Sequence, residues 1–142
     1  MKKNAENEYF NSLSVKEKSI LLAIICTLAK IDKQIHPDEK TFLHDLAHDL
    51  KIEFSPRYFS LSVKECLKYA AEITNRRLAM EIIKHMLILA YTDSEFSDSE
   101  GEFIGQISEA LNIEAKKVSE ISSWIIDRII WLEQEAVIFE QP

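Results

Sequence analysis

Apolar residues recur along this chain mostly at the three-and-four spacing of helices, and the polar breaks between them carry helix-start signals. Ser14 with Glu17 forms a capping-box pattern that opens a helix running to about Lys30, and its stretch Ile20–Leu28 is apolar on almost every side. Such a segment reads as a buried helix, not a surface one. A short loop through Asp32 and Ile35 follows, and Pro37 suits the first position of a second helix, with His36 as N-cap and Glu39 as third residue. Phe42, Leu43, Leu46 and Leu50 give that helix its stripe. Lys51–Ser60 reads as a connector. Ser62 with Glu65 opens a third helix, Asn75 caps a fourth that runs toward Tyr91, and Ser97 with Glu100 opens a fifth. A last and longest helix spans about Glu114 to Phe139, with Trp124–Leu132 apolar on several faces.

The segment Ile20–Glu53 also aligns without a gap on Glu81–Glu114, an offset of 61 residues. Leu28/Leu89, Ala29/Ala90, Asp32/Asp93, Glu39/Glu100, Phe42/Phe103, Leu50/Leu111, Ile52/Ile113 and Glu53/Glu114 coincide, and apolar residues replace one another at seven further positions. A repeat of this kind predicts a single-domain, all-α bundle of about six helices with internal pseudo-twofold duplication. Its parts are two helical hairpins (halves 20–53 and 81–114), a bridging helix and a long C-terminal helix. Residues 1–13 read as a polar lead and 14–142 as the helical domain.

Composition narrows the function classes. In 142 residues, 46% hydrophobic content with two Gly and three Pro fits a compact helical protein. A net charge of −7 argues against nucleic acid as a partner, because duplex binding draws on clustered Lys and Arg. Met1–Ser12 lacks the apolar core of a secretory signal, and charge interrupts every apolar run before it reaches membrane-spanning length. The expectation is a cytoplasmic protein without direct membrane insertion. Cys26 and Cys66 lie far apart, without metal-type spacing, and read as reduced core thiols.

What the two halves share beyond packing is an acidic loop of form A-x-x-D-x-x-[IF]-x-x-x-E. Asp32 and Asp93 each follow a helix C-terminus, where the macrodipole disfavours a carboxylate by about 0.3–1 kcal/mol. Glu39 and Glu100 sit in a first helical turn, where negative charge is favoured. One reading is local: the aspartates accept nearby backbone N–H groups and the glutamates close capping boxes. The other is a divalent-cation site built from Asp32, Glu39, Asp93 and Glu100, whose oxygen ligands suit Ca²⁺, Mg²⁺ or Mn²⁺. It is not an EF-hand, since the sixth loop positions are Pro37 and Asp98 and the twelfth are Leu43 and Ile104. His44 and His48 share a helix face at a metal-capable spacing but read as a solvated polar face. Trp124 and Trp131, seven apart, lie on one side of the last helix. They read either as core packing or as a patch for a partner or a second subunit. No nucleophile–base set or glycine-rich phosphate loop appears, so a non-enzymatic role is expected.

The duplicated element, Ala29-Lys-Ile-Asp32-Lys-Gln-Ile35-His-Pro-Asp-Glu39 and Ala90-Tyr-Thr-Asp93-Ser-Glu-Phe96-Ser-Asp-Ser-Glu100, resembles that of the tellurite-resistance TerB family. The resemblance covers about Ser14–Glu114 and also extends to the N-terminal domain of a DnaJ-like membrane co-chaperone. It implies a compact helical domain with pseudo-twofold symmetry, and it implies that Asp32, Glu39, Asp93 and Glu100 match the family's acidic, metal-candidate positions. It further implies a binding or scaffold module in a bacterial stress response, with a protein partner that could be membrane-associated. Family members commonly place Gly directly after the Asp, whereas this chain has Lys33 and Ser94. The alternative is a metal-independent protein–protein adaptor, or homodimer, using the Trp-bearing C-terminal helix.

Overall fold

The computed structural model describes residues 2–31, 35–92 and 97–140, and among them every regular element is helical. Seven α-helices run in order: α1 (Lys2–Ser12), α2 (Val15–Lys30), α3 (Pro37–Asp49), α4 (Val63–Ala71), α5 (Arg76–Thr92), α6 (Asp98–Ala110) and α7 (Ala115–Glu140). A 3-10 turn, Pro56–Phe59, lies between α3 and α4.

The start signals operate as their chemistry dictates. Ser14 and Glu17, and Ser62 and Glu65, exchange reciprocal bonds at the heads of α2 and α4. At the head of α5, Asn75 Oδ1 accepts from Leu78 N at 3.1 Å.

Two features differ from the sequence expectation of six helices and a polar lead. The lead is α1, a helix of its own, and it is part of the core: Phe10 is fully buried and Leu13 nearly so. The connector Lys51–Ser60 contains the 3-10 turn, whose Tyr58 is buried and which packs on α2. Lys30 Nζ, at the end of α2, donates to the carbonyls of Phe59 and Leu61, so a cation at a helix C-terminus also fixes this connector.

The core centres on α2 and α5, which pack on each other and bury Leu21–Ala29 and most of Leu78–Ala90. Around them α3 packs on α2 and α5, α4 on α2 and α6, and α6 and α7 on α5. Cys26 and Cys66 are both buried free thiols, as expected, and Cys66 Sγ donates to Thr27 Oγ1 at 3.3 Å. Burial pushes the Cys26 thiol up to about 12 and raises that of Cys66.

The same local geometry recurs 61 residues apart in α3 and α6. Their glutamates Glu39 and Glu100 are each 4% exposed. Both helices end on a left-handed residue, Lys51 at φ 58° and Asn112 at φ 59°. In each case its N–H bonds two residues inside the cap (Lys51 to His48 O, Asn112 to Glu109 O). The next N–H reaches one residue further back (Ile52 to Ala47 O, Ile113 to Ser108 O), which completes a Schellman motif.

Candidate functional site

The acidic-loop residues are built from helix ends. Glu39 is the third residue of α3, and its Oε1 accepts from His36 N at 3.1 Å. Glu100 occupies the same place in α6: its Oε1 accepts from Ser97 N at 3.2 Å and from Ser97 Oγ at 3.1 Å. In return Ser97 Oγ accepts from Glu100 N at 3.1 Å. Each glutamate thus satisfies orphan donors of a first turn, in the half of the helix dipole that favours its charge. Asp32 and Asp93 lie outside the described residues. Among the described residues no three His, Cys, Asp or Glu side chains come together in a cage that would hold a metal ion. His44 and His48 are exposed on α3, and the His44 ring packs on Phe54 with centroids 4.3 Å apart.

The tryptophans sit on α7, and neither is a core residue: Trp124 is 46% and Trp131 63% exposed. Only one face of α7 seats the helix. Ile125 is buried and Val118, Ile121 and Ile129 pack partly against the core, while Ser122 Oγ bonds Tyr91 Oη of α5 at 2.8 Å. The same stripe continues through Leu132, Ala136 and Phe139 along a segment, Ile130–Glu140, in which every residue is exposed. At 1.5 Å rise per residue this is an arm of about 16 Å. Ile126, Ile130, Val137 and Ile138 add exposed apolar surface on its other faces. Taking roughly 150–250 Å² for a whole aromatic side chain and somewhat less for an aliphatic one, the large apolar residues from Trp124 to Phe139 expose on the order of 800 Å². That total is divided among several faces of the helix and interrupted by Asp127, Arg128, Glu133 and Glu135, so no single face exposes all of it. No described helix is long and apolar enough to cross a membrane.

Beside the seated half of α7 lies a groove of about 650 Å³, lined by Phe42 and Leu46 of α3, Ile88 of α5, and Trp124, Ile129 and Leu132 of α7. Glu6, Arg77, Lys84 and His85 also line it and belong to a polar cluster that ties α1 to α5. Glu81 is 4% exposed and takes Arg77 at 3.0 Å and Lys84 at 3.2 Å. Lys84 also reaches Glu6 at 3.5 Å. Both ring nitrogens of the buried His85 face oxygens, Glu81 O at 2.7 Å and Glu6 Oε1 at 3.5 Å. The hydrogen bond with His85, aided by the Lys84 ammonium and opposed by burial, holds the Glu6 carboxyl down to about 2. Arg77 stacks over the Tyr9 ring, 4.7 Å from its centroid. Sequence reading passed over this cluster. Its signal in the sequence is a run of charge, Arg77, Glu81, Lys84 and His85, at three-and-four spacing along a largely apolar helix.

Neither a scan against protein-family models nor searches of curated proteins and of solved structures found a match to this chain. The likeness to TerB domains rests on the duplicated acidic element alone. What the described residues present is a long helix with apolar side chains exposed on several sides, next to an apolar groove that is also lined by Asp45, Asp49 and Arg128.

Proposed function

We propose that this chain is a non-enzymatic, TerB-like binding module of a bacterial stress response, cytoplasmic, and that it engages a protein partner through α7. The observation that carries the reading is the exposure of Trp124, Trp131 and the apolar arm beyond Ile129 on a helix anchored along another face by Ile125. Interface centres are enriched in tryptophan, and an apolar area this large on a free surface costs solubility unless a partner covers it. In-cell photo-crosslinking tests it. A photoreactive residue placed at Trp131 is expected to give discrete protein adducts, and one placed at the exposed Lys64 of α4 is not. Equal yields from both positions, or none from Trp131, would remove the reading.

The fold is read in the same proposal as a doubled two-helix unit, α2–α3 and α5–α6. Support comes from the matched capping boxes, buried glutamates and Schellman motifs at the 61-residue offset. A divalent cation bound by Asp32, Glu39, Asp93 and Glu100 is a second reading, favoured by the burial of Glu39 and Glu100 at the rims of the two loops. Calorimetric titration of Ca²⁺, Mg²⁺ and Mn²⁺ addresses it. Absence of both heat and a melting shift at millimolar ion would leave the glutamates as helix caps only.

A further inference from the structure

The partner's chemistry can be narrowed by counting which charges around α7 are already neutralised. At the groove, Arg77 and Lys84 are taken by Glu81 and Glu6. Asp45 and Asp49 of α3 also line it, and neither has an ion pair among the described residues. Along the arm stand Glu133, Glu135 and Glu140, with no Lys or Arg between Arg128 and Glu140. The apolar floor of Phe42, Leu46, Ile88, Trp124, Ile129 and Leu132 is therefore bordered by unspent negative charge, offset at one point by Arg128.

We infer that this groove and arm receive a cationic amphipathic helix of a partner protein, its apolar stripe on the floor and its Lys or Arg side chains toward Asp45, Asp49, Glu133 and Glu135. The inference rests on the reading of α7 as the docking element and specifies what docks there. Three occupants compete for an apolar surface of this kind, and charge separates them. A second copy of this chain carries net charge −7 and would set arm glutamates against arm glutamates or against the α3 aspartates. Like charges across an interface are costly. An anionic lipid surface meets the same repulsion, and amphipathic helices that bind such surfaces have basic polar faces. A basic helix turns each uncompensated carboxylate into an attractive partner and speeds encounter. A volume of about 650 Å³ accommodates several anchoring side chains at i, i+4 and i+7 spacing.

Three synthetic amphipathic peptides with one shared apolar stripe and Lys, Gln or Glu on the polar face provide the test, titrated into the full chain. The chain's two tryptophans both lie on the surface in question, so their emission reports occupancy directly. The Lys peptide is expected to bind with a blue shift and with an affinity that falls as salt rises. Asp45→Lys should weaken it roughly tenfold, since reversal replaces an attraction with a repulsion. Leu132→Ser, at a half-exposed position, should weaken it while leaving the fold intact. Equal binding of all three peptides, abolished by Leu132→Ser, would overturn the charge assignment but keep α7 as a docking face. Lys-peptide binding indifferent to both substitutions, or no binding by any peptide, would overturn the inference itself. So would binding to anionic vesicles in preference to the Lys peptide, or a dimer in sedimentation that Leu132→Ser dissociates.

Discussion

Helix α7 has one face that holds the fold and others that do not, and paired substitutions separate them. Ile125 is 4% exposed and part of the core cluster, whereas Trp131, less than two turns further on, is 63% exposed. Truncating a buried Ile to Ala removes its transfer energy and leaves a cavity, at a cost of about 2–5 kcal/mol. Truncating Trp131 removes a ring that is mostly in water already, and surface changes of this kind stay within about 0.5 kcal/mol. A chain of this size has a total stability on the order of 5–15 kcal/mol, so Ile125→Ala should be unmistakable. Urea unfolding followed by circular dichroism reads both variants without using the tryptophans as probes, and an unchanged slope with a shifted midpoint identifies a stability change. Ile125→Ala should move the midpoint strongly and Trp131→Ala hardly at all. A loss of more than about 1.5 kcal/mol for Trp131→Ala would assign that ring to the core and refute the division of faces.

Other outcomes follow from the packing of α1 and the helix ends. Phe10→Ala should cost about 3–5 kcal/mol, because its ring is fully buried, and a loss below about 1 kcal/mol in the same unfolding assay would make α1 an appendage. Glu6 has a folded pKa near 2 against an ordinary value of 4.5, so its contribution is complete above pH 4.5 and is lost as pH falls toward 2. The side chain is 34% exposed, so water screens the interaction and Glu6→Gln should cost only about 1 kcal/mol at pH 7 and nothing near pH 2. A loss independent of pH would contradict the ion-pair account. Lys51 occupies a left-handed conformation that costs a side-chain-bearing residue roughly 1–2 kcal/mol, so Lys51→Gly should raise the melting temperature by a few degrees. Lowered stability would show that the Lys side chain contributes more than its backbone conformation costs.

Much of the helical layout was legible because its boundaries are chemical. Ser14/Glu17, Ser62/Glu65 and Ser97/Glu100 are reciprocal hydrogen-bonding pairs wherever they fall before an apolar run, and Asn75 and Pro37 act in equally local ways. Helix α1 escaped notice because its sequence, KKNAENEYFNS, carries too few apolar residues to form a stripe. What holds it is tertiary: Phe10 and Leu13 enter the core and Glu6 meets Lys84 and His85, partners more than seventy residues away in sequence. The 3-10 turn is likewise held by α2 and Lys30 rather than by its own pattern. The openness of α7 was not legible either. Trp124–Leu132, apolar on several faces, has the pattern of a buried helix, and only the extent of the body beneath it decides which faces find partners. Of the four acidic site residues, Glu39 and Glu100 stand as buried caps, and Asp32 and Asp93 fall outside the described residues.

Acrylamide quenching of the two tryptophans, in the free chain and at saturation with the Lys-faced peptide, tests the central claim most directly. When the chain is alone Trp131, 63% exposed, should be quenched readily and Trp124, 46% exposed, less so, and both should become protected in the complex. Near-complete shielding of both indoles in the free chain, or quenching unchanged by saturating peptide, would contradict the account of α7 as an open docking helix.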